Sequence, residues 1–178
     1  MLLAALLVAA AAPTPRPPPS PTPPYSALVS PTESARYALD HGCLAARRAG
    51  VRLAQTPNHF LRLDKKTGGY RMTGAGRVEL SDRTGPGCYL RVAQGDPEAL
   101  RAMVLDLLAA EGPVGKLFDS GAGSRDSLGS FRQETHCAKV GGKTTVALIS
   151  TSDHRKRPRL QLSLVDDSDG ACGRIAWP

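Results

Sequence analysis

The 178-residue chain has a single asparagine, Asn58, and six lysines against 17 arginines, while Ala, Gly and Pro are plentiful. Such a bias marks GC-rich coding, so part of the arginine excess is compositional rather than functional. No apolar run approaches the roughly 20 residues that cross a bilayer as a helix, so no transmembrane span is expected. Cys-x-x-Cys is missing, which removes both a thioredoxin-type redox pair and a zinc ribbon. Gly-x-Ser-x-Gly, Ser-x-x-Lys and His-Glu-x-x-His are missing too, and with them the common local signatures of acyl transfer and zinc hydrolysis.

Two near-matches fail on inspection. Gly141-Gly142-Lys143-Thr144 imitates the end of a phosphate-binding loop, but position 137, where that loop needs glycine, is cysteine. Asp167-Ser168-Asp169-Gly170 imitates a calcium loop, yet Val165 and Ala176 occupy its first and twelfth ligand positions. The aspartates there read as a solvated strand terminus. No metal and no cofactor is implied.

What the chain does have begins with Met1–Ala12, an apolar run ending in small residues. It resembles a secretory h-region with its Ala-x-Ala cleavage site, although no Lys or Arg precedes it. Nine of the fifteen prolines follow between Pro13 and Pro31. A stretch so poor in backbone donors favours extended polyproline II, and 13–30 reads as a disordered, semi-rigid linker. Residues 31–178 then read as one domain, close to the commonest domain size. Hydrophobic residues at 41% and charged residues at 22% suit a folded domain that carries the full formal charge of +7.

Within it, Ser30-Pro31-Thr32-Glu33 opens a helix expected to run from Pro31 to Ala49 and to stop at Gly50. Strand-like runs follow at 59–63, 70–80 and 88–92. Asp96-Pro97-Glu98 opens a second helix, whose Leu100, Met103, Val104, Leu107 and Leu108 form one stripe. Residues 120–130 read as a Gly/Ser loop with little drive to order. Strands are expected at 131–139, 143–151 and 159–165, with Gly141-Gly142 as the hairpin turn. The order is therefore α-β-β-β twice, which predicts an α+β fold with an antiparallel sheet and helices packed on one face. An internal duplication is one reading of this order.

Cys43, Cys88, Cys137 and Cys172 make an even number, which in an exported chain points to two disulfides. Three pairings are open; the two-half reading prefers Cys43 with Cys88 and Cys137 with Cys172. The one dense charge cluster is Arg155, Lys156, Arg157 and Arg159 at the expected hairpin tip. It is a candidate for binding phosphate, sulfated glycan or anionic lipid, or else a solubilising turn. Nucleic acid is not the expected ligand, because no stacking aromatic lies beside it. The sequence thus predicts a periplasmic or secreted, non-catalytic binding module of the cell envelope. Its partner would be an anionic envelope component or another envelope protein. The alternative is a small hydrolase whose site is assembled from dispersed His, Asp and Ser residues, since geometry rather than order defines such a site.

Overall fold

The computed structural model describes residues 30–56, 61–64, 68–72, 74–82, 87–121, 124–126, 129–175 and 177. The leader expected at 1–12 and all of the expected linker except Ser30 lie outside them, as do His59, Phe60 and the turn residues 65–67. The first helix starts where its sequence predicts. The Ser30 hydroxyl accepts a hydrogen bond from the Glu33 amide at 3.1 Å, and Pro31 occupies the first turn. It runs as α1 (Pro31–Ala38), a π-helical turn (Leu39–Leu44) and α2 (Ala45–Ala49), ending on left-handed Gly50. Among the described residues the other α-helix is α3 (Pro97–Glu111), capped by the Asp96 carboxylate, which accepts from the Ala99 amide at 2.7 Å.

The strands are β1 (Leu61–Leu63), β2 (Tyr70–Met72), β3 (Val78–Ser81), β4 (Cys88–Val92), β5 (Val114–Asp119), β6 (Ser124–Asp126), β7 (Gly129–Val140), β8 (Lys143–Ser152) and β9 (Leu160–Asp166). All pairs are antiparallel, in the order β1-β2-β3-β4-β9-β8-β7-β5, with β6 pairing on β7. The fold is α+β, predominantly sheet, with helices on one face. Apart from β6, which pairs on β7 off the main path, its two halves share one order of α-helix and sheet strands, and their last strands, β4 and β9, meet at the middle of the sheet.

Three local expectations change. The run 70–80 is two strands, because Gly74, Gly76 and Arg77 all take positive φ and turn the chain between them. A fourth strand, β5, opens the second half; as an edge strand with Lys116, Leu117 and Phe118 exposed it lacks the alternation that marks a half-buried strand. Each half therefore places four strands along the sheet, not three. The supposed loop 120–130 contains β6, ordered by pairing with the start of β7 rather than by its own composition.

The core is continuous. Leu39 and Leu44 from the first helix and Leu100, Met103, Val104 and Leu108 from α3 cover a row of sheet residues. In register across β3, β4, β9 and β8 these are Leu80, Leu90, Leu162 and Ile149, all fully buried. Each such leucine contributes on the order of 2 kcal/mol. Leu107 is only partly buried, at the border of the stripe. The β7–β8 turn packs under the end of the first helix, where a Cβ on Gly141 (φ +57°) would lie 2.8 Å from the Arg48 Cα. Glycine is required there by both space and backbone conformation.

The disulfides pair Cys43 with Cys88 and Cys137 with Cys172. The first ties the π-helical turn to β4. The second joins β7 to a 3-10 turn (Ala171–Arg174) that folds back over the face opposite the helices. The aspartates before that turn are not merely solvated. Asp166 is ion-paired with Arg47 at 2.5 Å, and Asp167 accepts from the Cys172 amide at 3.2 Å.

Candidate functional site

Strand alternation sends every second residue away from the helices, and among the described residues most of this second face has no element packed on it. In register from β2 to β7, one row reads Arg71, Glu79, Arg91, Gln161, Ser150 and Gln133. The next row, from β3 to β5, reads Ser81, Tyr89, Ser163, Leu148, Thr135 and Phe118. Leu148 and Phe118 are exposed. The Cys172 turn is bonded to Cys137 in the next row, and Trp177 lies 5.4 Å from the Lys139 ammonium.

Two concavities occupy the uncovered face. One, of about 380 Å3, has the backbone of Leu80, Leu90 and Leu162 in its floor and Asp64, Arg71, Glu79, Tyr89, Arg91 and Ser163 around it. Arg71 pairs with Asp64 at 3.0 Å and Glu79 at 3.4 Å, and Arg91 pairs with Glu79 at 3.6 Å. The second, of about 420 Å3, is lined by Phe131, Gln133, Ser150 and Arg157, among others. Gln161 lines both, so they adjoin.

The basic residues singled out from sequence occupy the β8–β9 connection beside the second concavity, and the structure divides them. Arg155 and Lys156 are exposed. Arg157 is half-buried, its guanidinium 5.4 Å from the Phe131 ring centre. Arg159 donates to the Ser152 carbonyl at 3.4 Å and also to the Asp153 carbonyl. The connection is ordered by local bonds: the Ser152 hydroxyl accepts from the His154 amide, and Asp153 accepts from the Ser130 amide at 3.1 Å. Arg159 therefore holds the turn's shape, while Arg155 and Lys156 supply charge to solvent.

A second polar cluster, which the sequence did not single out, lies on the helix-covered face at the β7–β5 end. Glu134 is 1% exposed, yet its Oε1 accepts from Arg101 of α3 at 2.8 Å and lies 2.9 Å from an Arg132 nitrogen. Arg132 also donates to Asp119 at 2.7 Å. Burial alone would raise the Glu134 pKa; the Arg101 hydrogen bonds and both guanidinium charges override it and hold the carboxyl below its ordinary range. The Arg132 bonds, then the Gly121 amide, hold Asp119 low as well. Arg132, Glu134 and His136 alternate in sequence, a visible period of two. Nothing in the sequence tells which side of that strand meets the helices.

His136 is 5% exposed, and its Nε2 lies 3.8 Å from Glu134, too far for a hydrogen bond. Burial lowers its pKa, Glu134 acts against that, and Lys116 and Arg101 reinforce the lowering. The folded protein thus keeps this imidazole neutral where the unfolded chain takes up a proton. Because the folded pKa is depressed, stability is present above about pH 6.5 and falls as pH drops through that value. Urea unfolding midpoints at pH 7.5 and 5.5 are expected to show this decline, and His136→Gln is expected to flatten it. An equal decline in the variant would assign it to other groups.

Among the described residues, no three His, Cys, Asp or Glu side chains gather where they could hold a metal ion, and no helix is long and apolar enough to cross a membrane. Comparison with protein-family models, curated proteins and solved structures finds no match for this chain.

Proposed function

We propose that this disulfide-stabilised α+β protein is an exported binding module of the cell envelope, taking an anionic component on the uncovered face of its sheet. The carrying observation is the asymmetry of the sheet: helices bury one face, while the other carries two adjoining concavities beside the exposed Arg155 and Lys156. A concave face of mixed polar and apolar residues flanked by exposed charge suits contact rather than packing. Two disulfides and the apolar Met1–Ala12 run support a periplasmic or secreted location, with 13–30 as a linker. The recurrence of one helix and four sheet strands supports 31–178 as a single domain that arose by duplication. The hydrolase alternative lacks comparable support. Among the described residues the one buried His–carboxylate approach, His136 to Glu134, has its carboxylate committed to two arginines.

Arg155→Ser with Lys156→Ser is expected to elute earlier from an anionic matrix, with a shallower salt dependence and an unchanged melting temperature. Arg159→Ser is expected to lower the melting temperature instead, by freeing the turn. Unchanged elution of the double variant would remove the β8–β9 connection from the binding surface.

A further inference from the structure

We infer that the anionic component is a glycan chain, whose hydroxyl-bearing sugars lie over Arg71, Glu79, Arg91, Tyr89 and Gln161 and whose acidic substituents reach the β8–β9 connection. The inference rests on the binding reading above and assigns it a groove and a ligand class.

Donors and acceptors in the groove point to this ligand class. The first concavity holds two arginines, Arg71 and Arg91, and two carboxylates, Asp64 and Glu79. The charge of these lining residues is balanced, with exposed Arg62 of β1 beside Arg71 at the edge, and the groove offers strong donors and strong acceptors side by side. A ligand with acceptors alone, such as phosphate or an acidic peptide side chain, would meet repulsion from Glu79 and Asp64. A sugar hydroxyl both donates and accepts, so adjacent hydroxyls can bridge an arginine and its carboxylate together. Arg91 suits this role: among the described residues its one charge partner is Glu79, at 3.6 Å, which leaves guanidinium donors for a ligand. Tyr89 and Ser163 add hydroxyls and Gln161 an amide to the same groove, and the Tyr89 ring offers an apolar face with a polar tip.

The excess positive charge lies elsewhere. Arg155 and Lys156 stand past the second concavity, where Gln133 and Ser150 continue the amide and hydroxyl row. From Arg71 on β2 to Gln133 on β7 the row crosses five interstrand spacings, about 24 Å at roughly 4.8 Å each. A neutral, hydrogen-bonding groove that runs into a basic turn matches a polymer with many hydroxyls and intermittent anions, carboxylate or sulfate.

Calorimetric titration of the disulfide-intact protein with polygalacturonate, dextran sulfate, unsulfated dextran and polyglutamate tests this. Binding to either acidic glycan is expected to be about tenfold or more tighter than to polyglutamate or unsulfated dextran. Preference between the two identifies carboxylate or sulfate as the recognised group. Glu79→Gln with Arg91→Gln is expected to weaken acidic-glycan binding about tenfold, with an unchanged melting temperature, and Gln161→Ala to weaken it by less. Arg155→Ser with Lys156→Ser is expected to reduce the salt dependence. Polyglutamate binding as tightly as the acidic glycans would overturn the ligand class. Groove variants that bind like the parent while the Arg155/Lys156 variant does not would overturn the groove but leave anion binding standing. No binding to any of the polyanions would overturn both readings.

Discussion

Reduction of Cys43–Cys88 and Cys137–Cys172 is expected to unfold this protein, wholly or nearly so, at room temperature without denaturant. The sequence separations are 45 and 35 residues. Restricting the unfolded chain over loops of that length is worth about 4 kcal/mol for each bridge. The two loops do not overlap, so the contributions are close to additive. Their sum is comparable with the roughly 5–15 kcal/mol by which a domain is stable at all. The first bridge also fastens the helix 31–49 to β4, so its loss by Cys43→Ala with Cys88→Ala is expected to expose amide protons there first. Circular dichroism melts with and without a reductant check the main claim. A reduced protein that melts at the native temperature would show that the Leu-rich core holds the sheet unaided. Dependence on the bridges also fits the proposed oxidising compartment, since the fold would not persist where thiols stay reduced.

Glu134→Ala is expected to destabilise the protein by about 3–5 kcal/mol, the loss that follows when one partner of a buried ion pair is removed. Among the described residues Arg101 would keep Glu98, 3.7 Å away and largely exposed, and the more distant charge of Asp119, and Arg132 would keep Asp119. Both guanidiniums would remain mostly buried beside an empty site. Joint replacement of Arg101 and Glu134 by Met and Leu is expected to cost much less, because the Arg101 charge is then not left behind and Arg132 keeps Asp119. The pH dependence has a definite sign. The folded Glu134 carboxyl titrates below its unfolded value of about 4.3, so its stabilisation is present above that pH and lost on further acidification. Glu134→Gln is expected to shift less with acid below about pH 4 than the parent does. Guanidinium denaturation midpoints at pH 7 and pH 3 measure both effects. Equal acid sensitivity in the variant and the parent would place the titration on other carboxylates.

The legible part of the fold was what neighbours along the chain decide. Ser30 and Asp96 with their following prolines start both long helical stretches, Gly50 ends the first, and Gly141-Gly142 turns the β7–β8 hairpin. Leu160, Leu162 and Leu164 alternate visibly and are buried as a set. Strand β5 was not legible, because an edge strand receives its order from the partner it pairs with, here β7. The same holds for β6, in a segment whose Gly/Ser content argues for loop. Of the candidate site, the sequence located the cations 155–159 but not their division of labour. Whether an arginine faces solvent or a carbonyl depends on where the chain returns, as Arg159 does against Ser152 and Asp153.

By itself, then, the sequence determined the α+β class, the helix starts, the even cysteine set and the basic turn, because each rests on local propensity, periodicity or composition. The tertiary structure alone decided which face of the sheet the helices cover. That choice buries Glu134 between two arginines and leaves Arg71, Glu79, Arg91, Tyr89 and Gln161 open. A strand's alternation separates its two faces without naming the buried one. Only packing against α1 and α3, which removes the leucine rows from water, does so.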